Sequence, residues 1–358
     1  MRAVAIACLL LSLCTIAAGE MTLDERLEVL WDRAIRQTDF ANYDDALKTG
    51  RRAVEIAPAH ADAWALLAYA HWMHPDGLAY LARGQVQRAL GLNPASARAR
   101  MLSGLVIPFV TDPPDFGRAI AELERAVELD PTLAQAWSRL GLARNDLGDT
   151  EAALADIRRA VALEPERYEW HLHLGEVLLA AGDADEAVAS NRRALELAIS
   201  PFSELLARNN LAWSLCLMLP ADPAVRQEAL DLVRELSAGG PEDAELRDTL
   251  GTAELLFGEP VRAEEALRAA IELGNNSWAG LAYALALQGE SAEAREQLAR
   301  FSALYVAGGA EPEHPYFAGL AWEALGETQI TRRVFESATK KWPKHPWADE
   351  MRHWLAGR

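Results

Sequence analysis

The stretch AQAWSRLGLARNDLGDTEAALADIRRAVALEPER, residues 134–167, decides the fold of this chain. In its first half, Trp137, Leu140 and Gly141 stand at i, i+3 and i+4, so they share one face of a helix. Gly148 follows where that helix would have to stop, since glycine is typical of the position just after a helix. The first half therefore predicts a helix that ends at a turn.

The second half of the stretch predicts another helix. Ala153, Ile157 and Ala160 stand at i, i+4 and i+7, which again forms one apolar stripe. Pro165 ends the stripe, because proline cannot continue a helix. Together the two halves predict an antiparallel helix pair, and its small residues allow the two helices to approach closely.

The same pattern returns along the chain at a fixed interval. Five residues lie 34 positions after their counterparts in the opening stretch, namely Leu174, Gly175, Gly182, Ala187 and Ala194. A constant period of this length is the sequence signature of a repeat architecture, in which each unit buries its core against its neighbours.

The repeat resembles the tetratricopeptide repeat (TPR) family. The residues that carry the resemblance are Trp137, Leu140, Gly141, Ala153, Ile157, Ala160 and Pro165. The resemblance implies an all-α fold: an α-solenoid of about nine TPR-like helix hairpins in a right-handed superhelix, with a C-terminal capping helix. Such repeats serve many unrelated partners, so the resemblance implies protein binding without naming the partner.

The chain divides into five predicted segments. They are a signal peptide (1–19), TPR-like repeats 1–5 (22–200), an irregular repeat and hinge candidate (201–241), repeats 7–9 (242–345) and the C-terminal capping helix (346–358).

Local features mark the ends and turns of these segments. Thr22 and Glu25 predict a capping box at the start of the first helix. Longer turns are expected in the second repeat around 74–77, and in the third around Pro108 and 111–114.

At the C-terminal end of the chain, the residues at i, i+4, i+7 and i+8 predict one apolar face on the capping helix. They are Trp347, Met351, Trp354 and Leu355.

The first residues have the three-part pattern of a secretory signal peptide. Arg2 precedes an apolar run at 3–13, and small residues follow at 15–19. About 16 apolar residues fall short of the ~20 that cross a bilayer. An uncleaved membrane anchor and a lipid-anchored form using Cys8 or Cys14 are the alternatives. The sequence thus predicts export across the inner membrane, with a periplasmic location in a bacterial cell.

Only Cys216 remains of the three cysteines if the signal is cleaved near residue 19. No internal disulfide is then expected. Cys216 lies in an apolar run and is interpreted as a small buried hydrophobic residue.

The charge balance excludes one class of partner. The chain has 35 Lys and Arg against 53 Asp and Glu, a net charge of −18. Sequence-independent nucleic-acid binding needs cations that neutralise phosphates, so no nucleic-acid partner is expected.

Motifs for catalysis or cofactor binding are absent from the sequence. His71 and His74 are three residues apart near Asp76, but the sequence offers no convincing third ligand. His171 and His173 point to different faces of a helix. We therefore predict no catalytic residues, no cofactor and no metal.

In TPR-like proteins the exposed side of each first helix lines a concave groove that binds peptides, and the resemblance implies the same groove here. Its predicted residues are Tyr69, Trp72, Arg139, Leu142, Asn145, His173, Asn209, Asn210, Trp213 and Tyr283. The alternative is that the aromatic residues fill gaps between repeats. The clamp by which some relatives hold a terminal carboxylate is not seen, because Trp31 and Ile35 stand there.

These observations favour an exported, non-enzymatic scaffold that binds peptide or helical segments of cell-envelope proteins. The alternatives are a solenoid that binds a saccharide or peptidoglycan fragment, and a structural module that self-associates. Membrane contact is expected only through an uncleaved N-terminal segment or through the basic C-terminal end. That end is also explained as a capping helix with solubilising charge.

Overall fold

The protein is described here from a computed structural model, which covers residues 21–218, 222–239, 243–308 and 314–357. Within these residues all regular secondary structure is helical, as the sequence predicts. The predicted signal peptide, Cys8 and Cys14 lie outside the described residues.

Nineteen helices are described, and the first eighteen form nine consecutive pairs. The helices are α1 Leu23–Asp39, α2 Tyr43–Ile56, α3 Ala61–Trp72, α4 Ala79–Leu92, α5 Ala97–Val110, α6 Phe116–Leu129, α7 Ala134–Asp146, α8 Thr150–Leu163, α9 Tyr168–Ala181, α10 Ala184–Glu196, α11 Pro201–Leu217, α12 Pro223–Gly239, α13 Ala244–Phe257, α14 Pro260–Glu272, α15 Trp278–Leu287, α16 Ser291–Val306, α17 His314–Ala324, α18 Thr328–Lys341 and α19 Ala348–Ala356. The predicted α-solenoid of about nine hairpins with a C-terminal helix is confirmed.

The helices belong to two compact units. The first unit comprises residues up to Ala143, and the second begins at Arg144, so the boundary falls within α7. Part of the hinge candidate, at 219–221 and 240–242, lies outside the described residues. The hinge therefore stays a prediction.

In both units the first helices of successive pairs contact one another. In the first unit α3 contacts α1 and α5, and in the second α11 contacts α9 and α13, while α15 contacts α17. No comparable contact joins consecutive second helices within the described part of the chain. The side on which the first helices meet is therefore the inner side of each unit, and we call it the inner face.

Hydrogen bonds at the repeat ends explain why the motif residues recur. The indole nitrogen of Trp64 donates to the backbone oxygen of Pro58 at 2.8 Å, and that of Trp137 donates to Pro131 at 3.0 Å. In both cases the donor lies six residues after the proline that ends the preceding repeat. In these two repeats the motif tryptophan thus anchors the first helix to the end of the repeat before it.

The capping residues and glycines that the sequence marks as helix ends adopt the hydrogen bonds and backbone angles typical of those positions. Glu25 donates its backbone N–H to the Thr22 hydroxyl, and its carboxylate accepts the Thr22 backbone N–H at 2.7 Å, which confirms the capping box. Gly148 and Gly182 have φ values of +82° and +87°, in the left-handed region that favours glycine.

The third repeat differs from its prediction at Pro108. This proline was expected in the turn, but it lies inside α5, which continues to Val110. Proline removes the hydrogen bond that its own N–H would have donated, and its ring crowds the carbonyl four residues earlier. Since the helix ends two residues later, that loss is confined to the last turn.

Candidate partner-binding surfaces

Two aromatic side chains meet at the C-terminal ends of α3 and α5 in the first unit. The rings of Trp72 and Phe109 are 4.9 Å apart between centroids and lie edge to face, at 72°. Trp72 is half-buried, while Phe109 is 69% exposed. Phe109 was not among the predicted groove residues. Its spacing of four from Leu105 was a signal for it, but Pro108 was interpreted as the end of the helix.

Tyr69 belongs to the core rather than to an open surface. It is 2% exposed, its hydroxyl lies 3.1 Å from the Thr38 hydroxyl, and its ring packs against Trp31 at 5.6 Å. This placement agrees with the interpretation of aromatic residues as filling between repeats.

Arg139 and Leu142 are both half-buried in α7, the first helix of the fourth pair. The Nε atom of Arg139 is buried and has no hydrogen-bond partner within the part of the protein that is described. A buried donor without a partner is costly, so this atom favours an additional acceptor.

The predicted asparagines of the second unit fall into two kinds. The Oδ1 atoms of Asn145 and Asn209 are buried and have no hydrogen-bond partner among the described residues. The backbone oxygen of Asn210 instead accepts hydrogen bonds from Asn191 at 3.2 Å and Ser214 at 2.8 Å. Asn210 is thus tied into the packing between α10 and α11.

His173 is half-buried, and its ring lies 5.9 Å from that of Trp170.

Trp213 and Tyr283 pack against the apolar cluster that contains Trp347, and the Tyr283 ring lies 6.3 Å from that of Phe317. Trp347 is fully buried, and its ring lies 6.5 Å from Trp213, 4.8 Å from Tyr316 and 5.2 Å from Phe317. Its indole nitrogen donates to the backbone oxygen of Cys216 at 3.3 Å. Because α11 and α17 are first helices, Trp347 occupies the inner face of the second unit.

The C-terminal helix covers the last hairpin as predicted, but without Trp347. Met351, Trp354 and Leu355 pack with Phe335 of α18, and the Trp354 ring lies 5.3 Å from it. α19 begins at Ala348, two residues later than predicted, and Trp347 is its N-cap. Trp347 packs in the apolar cluster of Trp213 and Phe317, whereas Met351 packs in that of Phe335, so the two residues do not share one buried face.

A cleft of about 690 Å³ adjoins the segment that leads to Trp347. Asp183 and Asp185 line it on the side of the α9–α10 turn, while Lys344 and Arg352 come from the C-terminal segment. The cleft thus has acidic and basic walls, and Arg352 is paired with Asp349 at 2.5 Å.

Burial shifts several titratable groups of the second unit. It raises the pKa of the Cys216 thiol, which disfavours the thiolate, and the side chain is buried as predicted. Burial lowers the pKa of His314 and of His345 to about 4 in each case. Burial raises the pKa of Asp248 to about 6, against the hydrogen bond from the Ser277 hydroxyl, which lowers it.

No group of three or more metal-binding side chains occurs in the described ranges. His71 is buried and its Nδ1 lies 2.9 Å from the Leu67 backbone oxygen. His74 lies 3.6 Å from both Asp44 and Asp76. Among the helices described above, none combines the length and the apolar character that a membrane span requires.

Comparisons with known proteins agree with this architecture. Residues 115–162 and 144–204 match the family model of the tetratricopeptide repeat. A search of curated proteins finds no match. Among solved structures, the chain is similar to the APC/C hetero-tetramer Cut9–Hcn1 at 17% identity and a TM-score of 0.63, over 84% of this chain and 55% of that chain. At this identity the likeness shows the fold alone.

Two shorter structures also match. One is YrrB, a TPR protein with an unusual peptide-binding site, at 21% identity and a TM-score of 0.39, over 53% of this chain and 92% of that one. The other is a thermophilic TPR protein of Thermus thermophilus, at 21% identity and a TM-score of 0.41, over 58% of this chain and 99% of that one.

Proposed function

This chain is a tetratricopeptide-repeat protein, and we propose that it is an exported, non-enzymatic scaffold whose inner face holds peptide or helical segments of cell-envelope proteins. The observation that carries this proposal is the aromatic pair of Trp72 and Phe109 in the first unit. An exposed ring held edge to face against a second ring presents a large apolar contact at little cost in side-chain entropy.

Polar atoms on the first helices of each unit, taken separately, also support a peptide ligand. Arg139 in the first unit, and Asn145 and Asn209 in the second, each carry a buried polar atom that lacks a partner among the described residues. A peptide backbone offers both carbonyl acceptors for arginine and N–H donors for asparagine oxygens. Within a unit, affinity would come from apolar anchors, and such polar contacts would fix the orientation of a bound segment.

The experiment places a photo-crosslinking amino acid at position 109 in cells that make the full chain. We expect crosslinks to a small, reproducible set of proteins, because Phe109 lies at the end of a first helix. The matched control is position 125, since Arg125 is also exposed but lies on the second helix α6. The same crosslinked set at both positions would contradict the assignment to the inner face.

Export is proposed from the sequence of residues 1–19 and is tested separately. Fractionation of cells should recover the protein with the periplasmic contents, and its N-terminal sequence should begin just after residue 19. A protein that keeps Met1 and remains with the cytoplasmic fraction would contradict export while leaving the binding proposal intact.

A further inference from the structure

The second unit already holds an apolar side chain on its inner face. Trp347 belongs to the segment between α18 and α19, yet it is fully buried against α11 and α17. We propose that this inner face is a binding site for a tryptophan-bearing segment, that residues 343–347 are its resident occupant, and that a partner protein with a proline–tryptophan segment takes their place. The inference rests on the proposed scaffold function, since it names the ligand chemistry of one unit.

The site contacts both the apolar ring and the N–H group of an indole. Trp213, Tyr316 and Phe317 surround the ring, which favours an aromatic occupant. The acceptor for the indole N–H is the backbone oxygen of Cys216, in the last turn of α11. Carbonyls in the last turn of a helix have no partner inside that helix, so this oxygen is available to any indole that enters.

The occupant has the properties of a bound peptide. Residues 343–347 connect two helices without joining either, and Pro343 and Pro346 restrict the backbone to extended or turn conformations. Prolines reduce the entropy that a segment loses on binding, as in other proline-rich ligands. The backbone N–H of Trp347 is satisfied within the segment, since it donates to His345 Nδ1 at 3.3 Å.

The charges around the segment indicate which residues a competing partner should carry. Asp183 and Asp185 line the same cleft as Lys344. A partner segment with a lysine or arginine just before its proline and tryptophan would find the same acidic wall. We therefore expect a basic–proline–tryptophan segment, which also complements the net charge of −18.

The test uses a fluorescein-labelled peptide of residues 340–352, KKWPKHPWADEMR, and the full-length protein. The wild-type protein should bind it weakly because its own segment occupies the site. The Trp347→Ala protein should bind at least about tenfold more tightly, since a site that is mostly closed reduces apparent affinity by the open fraction. A peptide with alanine at position 347 should bind neither protein.

A second variant opens the site without changing Trp347. A Cβ added at Gly182 would overlap the backbone oxygen of Lys344, whereas one added at Gly148 meets no atom within 4 Å. Both glycines have positive φ, so Gly182→Ala and Gly148→Ala carry the same backbone strain. Gly182→Ala should bind the peptide more tightly than wild type, and Gly148→Ala should not.

The outcomes separate this proposal from the scaffold function. Equal binding by wild type and Trp347→Ala, or equal binding of the tryptophan and alanine peptides, would overturn the tryptophan site. Equal behaviour of the two glycine variants would overturn displacement of the segment. A wild-type dimer that becomes monomeric in Trp347→Ala would identify a second copy as the occupant and overturn the choice of a separate partner. Crosslinking at position 109 in the first unit is independent of all these results.

Discussion

The indole nitrogen of Trp347 donates a hydrogen bond to the backbone oxygen of Cys216, which lies 131 residues earlier in the chain. Repeat arrays are held together mainly by contacts between neighbouring repeats. This bond instead ties the end of the last hairpin to α11, and the ring contacts with Trp213 make the same connection. The second unit therefore contains a long-range closure that a simple stack lacks.

The closure predicts an unequal effect of two tryptophan substitutions. Trp347→Ala removes a fully buried ring, so we expect the free energy of unfolding to fall by about 3–5 kcal/mol. Trp354→Ala should lower it less, because Trp354 of α19 is only half-buried where it packs against α18. Urea unfolding followed by circular dichroism measures both. Equal losses would mean that the inner-face contact adds nothing beyond ordinary packing.

The features that could be predicted from the sequence depend on residues that are close together along the chain. The helix pair at 134–167 and the capping box of Thr22 depend on residues a few positions apart, and the spacing alone determines them. The long closure could not be found in this way. The position of Trp347 four residues before Met351 predicted one helix face, and only the fold reveals that its partner is Cys216.

For the candidate site, the sequence predicted which residues lie on the first helices but not which of their side chains are exposed. The first helices were identified from the repeat, so Trp72 and Asn209 were found as residues on them. Whether a side chain on that helix is open or buried depends on the helix packed beside it. Tyr69 therefore proved to be core, since Thr38 and Trp31 of the preceding repeat cover it. Periodicity gives the face of a helix but not what lies against it.

Asp248→Asn should stabilise the second unit at neutral pH. The folded pKa of about 6 lies above the ordinary value, so the folded state binds a proton more readily than the unfolded state. For the wild type this group adds stability as pH falls from about 6 to 4, by about 2 kcal/mol. We expect the variant to gain about 1–2 kcal/mol at pH 7 and to lose this advantage at pH 4.

The measurement is the difference in unfolding free energy between wild type and Asp248→Asn at several pH values. Asparagine retains an oxygen that can accept from the Ser277 hydroxyl, so the hydrogen bond is conserved while the charge is removed. Ser277→Ala is the control, because it removes the bond and keeps the charge. A pH-independent difference for Asp248→Asn would contradict the role of the charge.

For His345 we expect the opposite dependence of stability on pH, with stability lost as pH falls. Its folded pKa of about 4 lies below the ordinary value, so the unfolded state binds more protons between these two values. Its contribution to stability is complete above the unfolded pKa and is lost as pH falls toward 4. Between pH 7 and pH 5 the wild type should lose about 2 kcal/mol through this group.

His345→Asn tests that loss, since an asparagine oxygen can replace Nδ1 as acceptor for the Trp347 backbone N–H. The variant should be less sensitive to the change from pH 7 to pH 5 than the wild type, when the two are compared by chemical unfolding. An identical pH dependence would exclude His345 as the titrating group, and His314, whose pKa burial lowers to about the same value, would be the next group to substitute.

Two glycines of the first unit predict effects of opposite sign when each is replaced by alanine. At Gly104 in α5, an added Cβ would lie 2.6 Å from Leu123 Cγ and 2.8 Å from the backbone oxygen of Ala119, both in α6. The two helices must then separate, and we expect a loss of about 1–3 kcal/mol. At Gly84 in α4 the added Cβ meets nothing within 4 Å, and the position is exposed.

Gly84→Ala should therefore stabilise the protein by about 0.5–1 kcal/mol, because alanine loses less backbone entropy than glycine in a helix. Both variants are compared with wild type by thermal and urea unfolding of the full chain. Since the two substitutions are chemically identical and both sites are helical, the difference between them isolates the close approach of α5 to α6. A loss at Gly84 as large as that at Gly104 would show that glycine is retained for a reason other than helix packing.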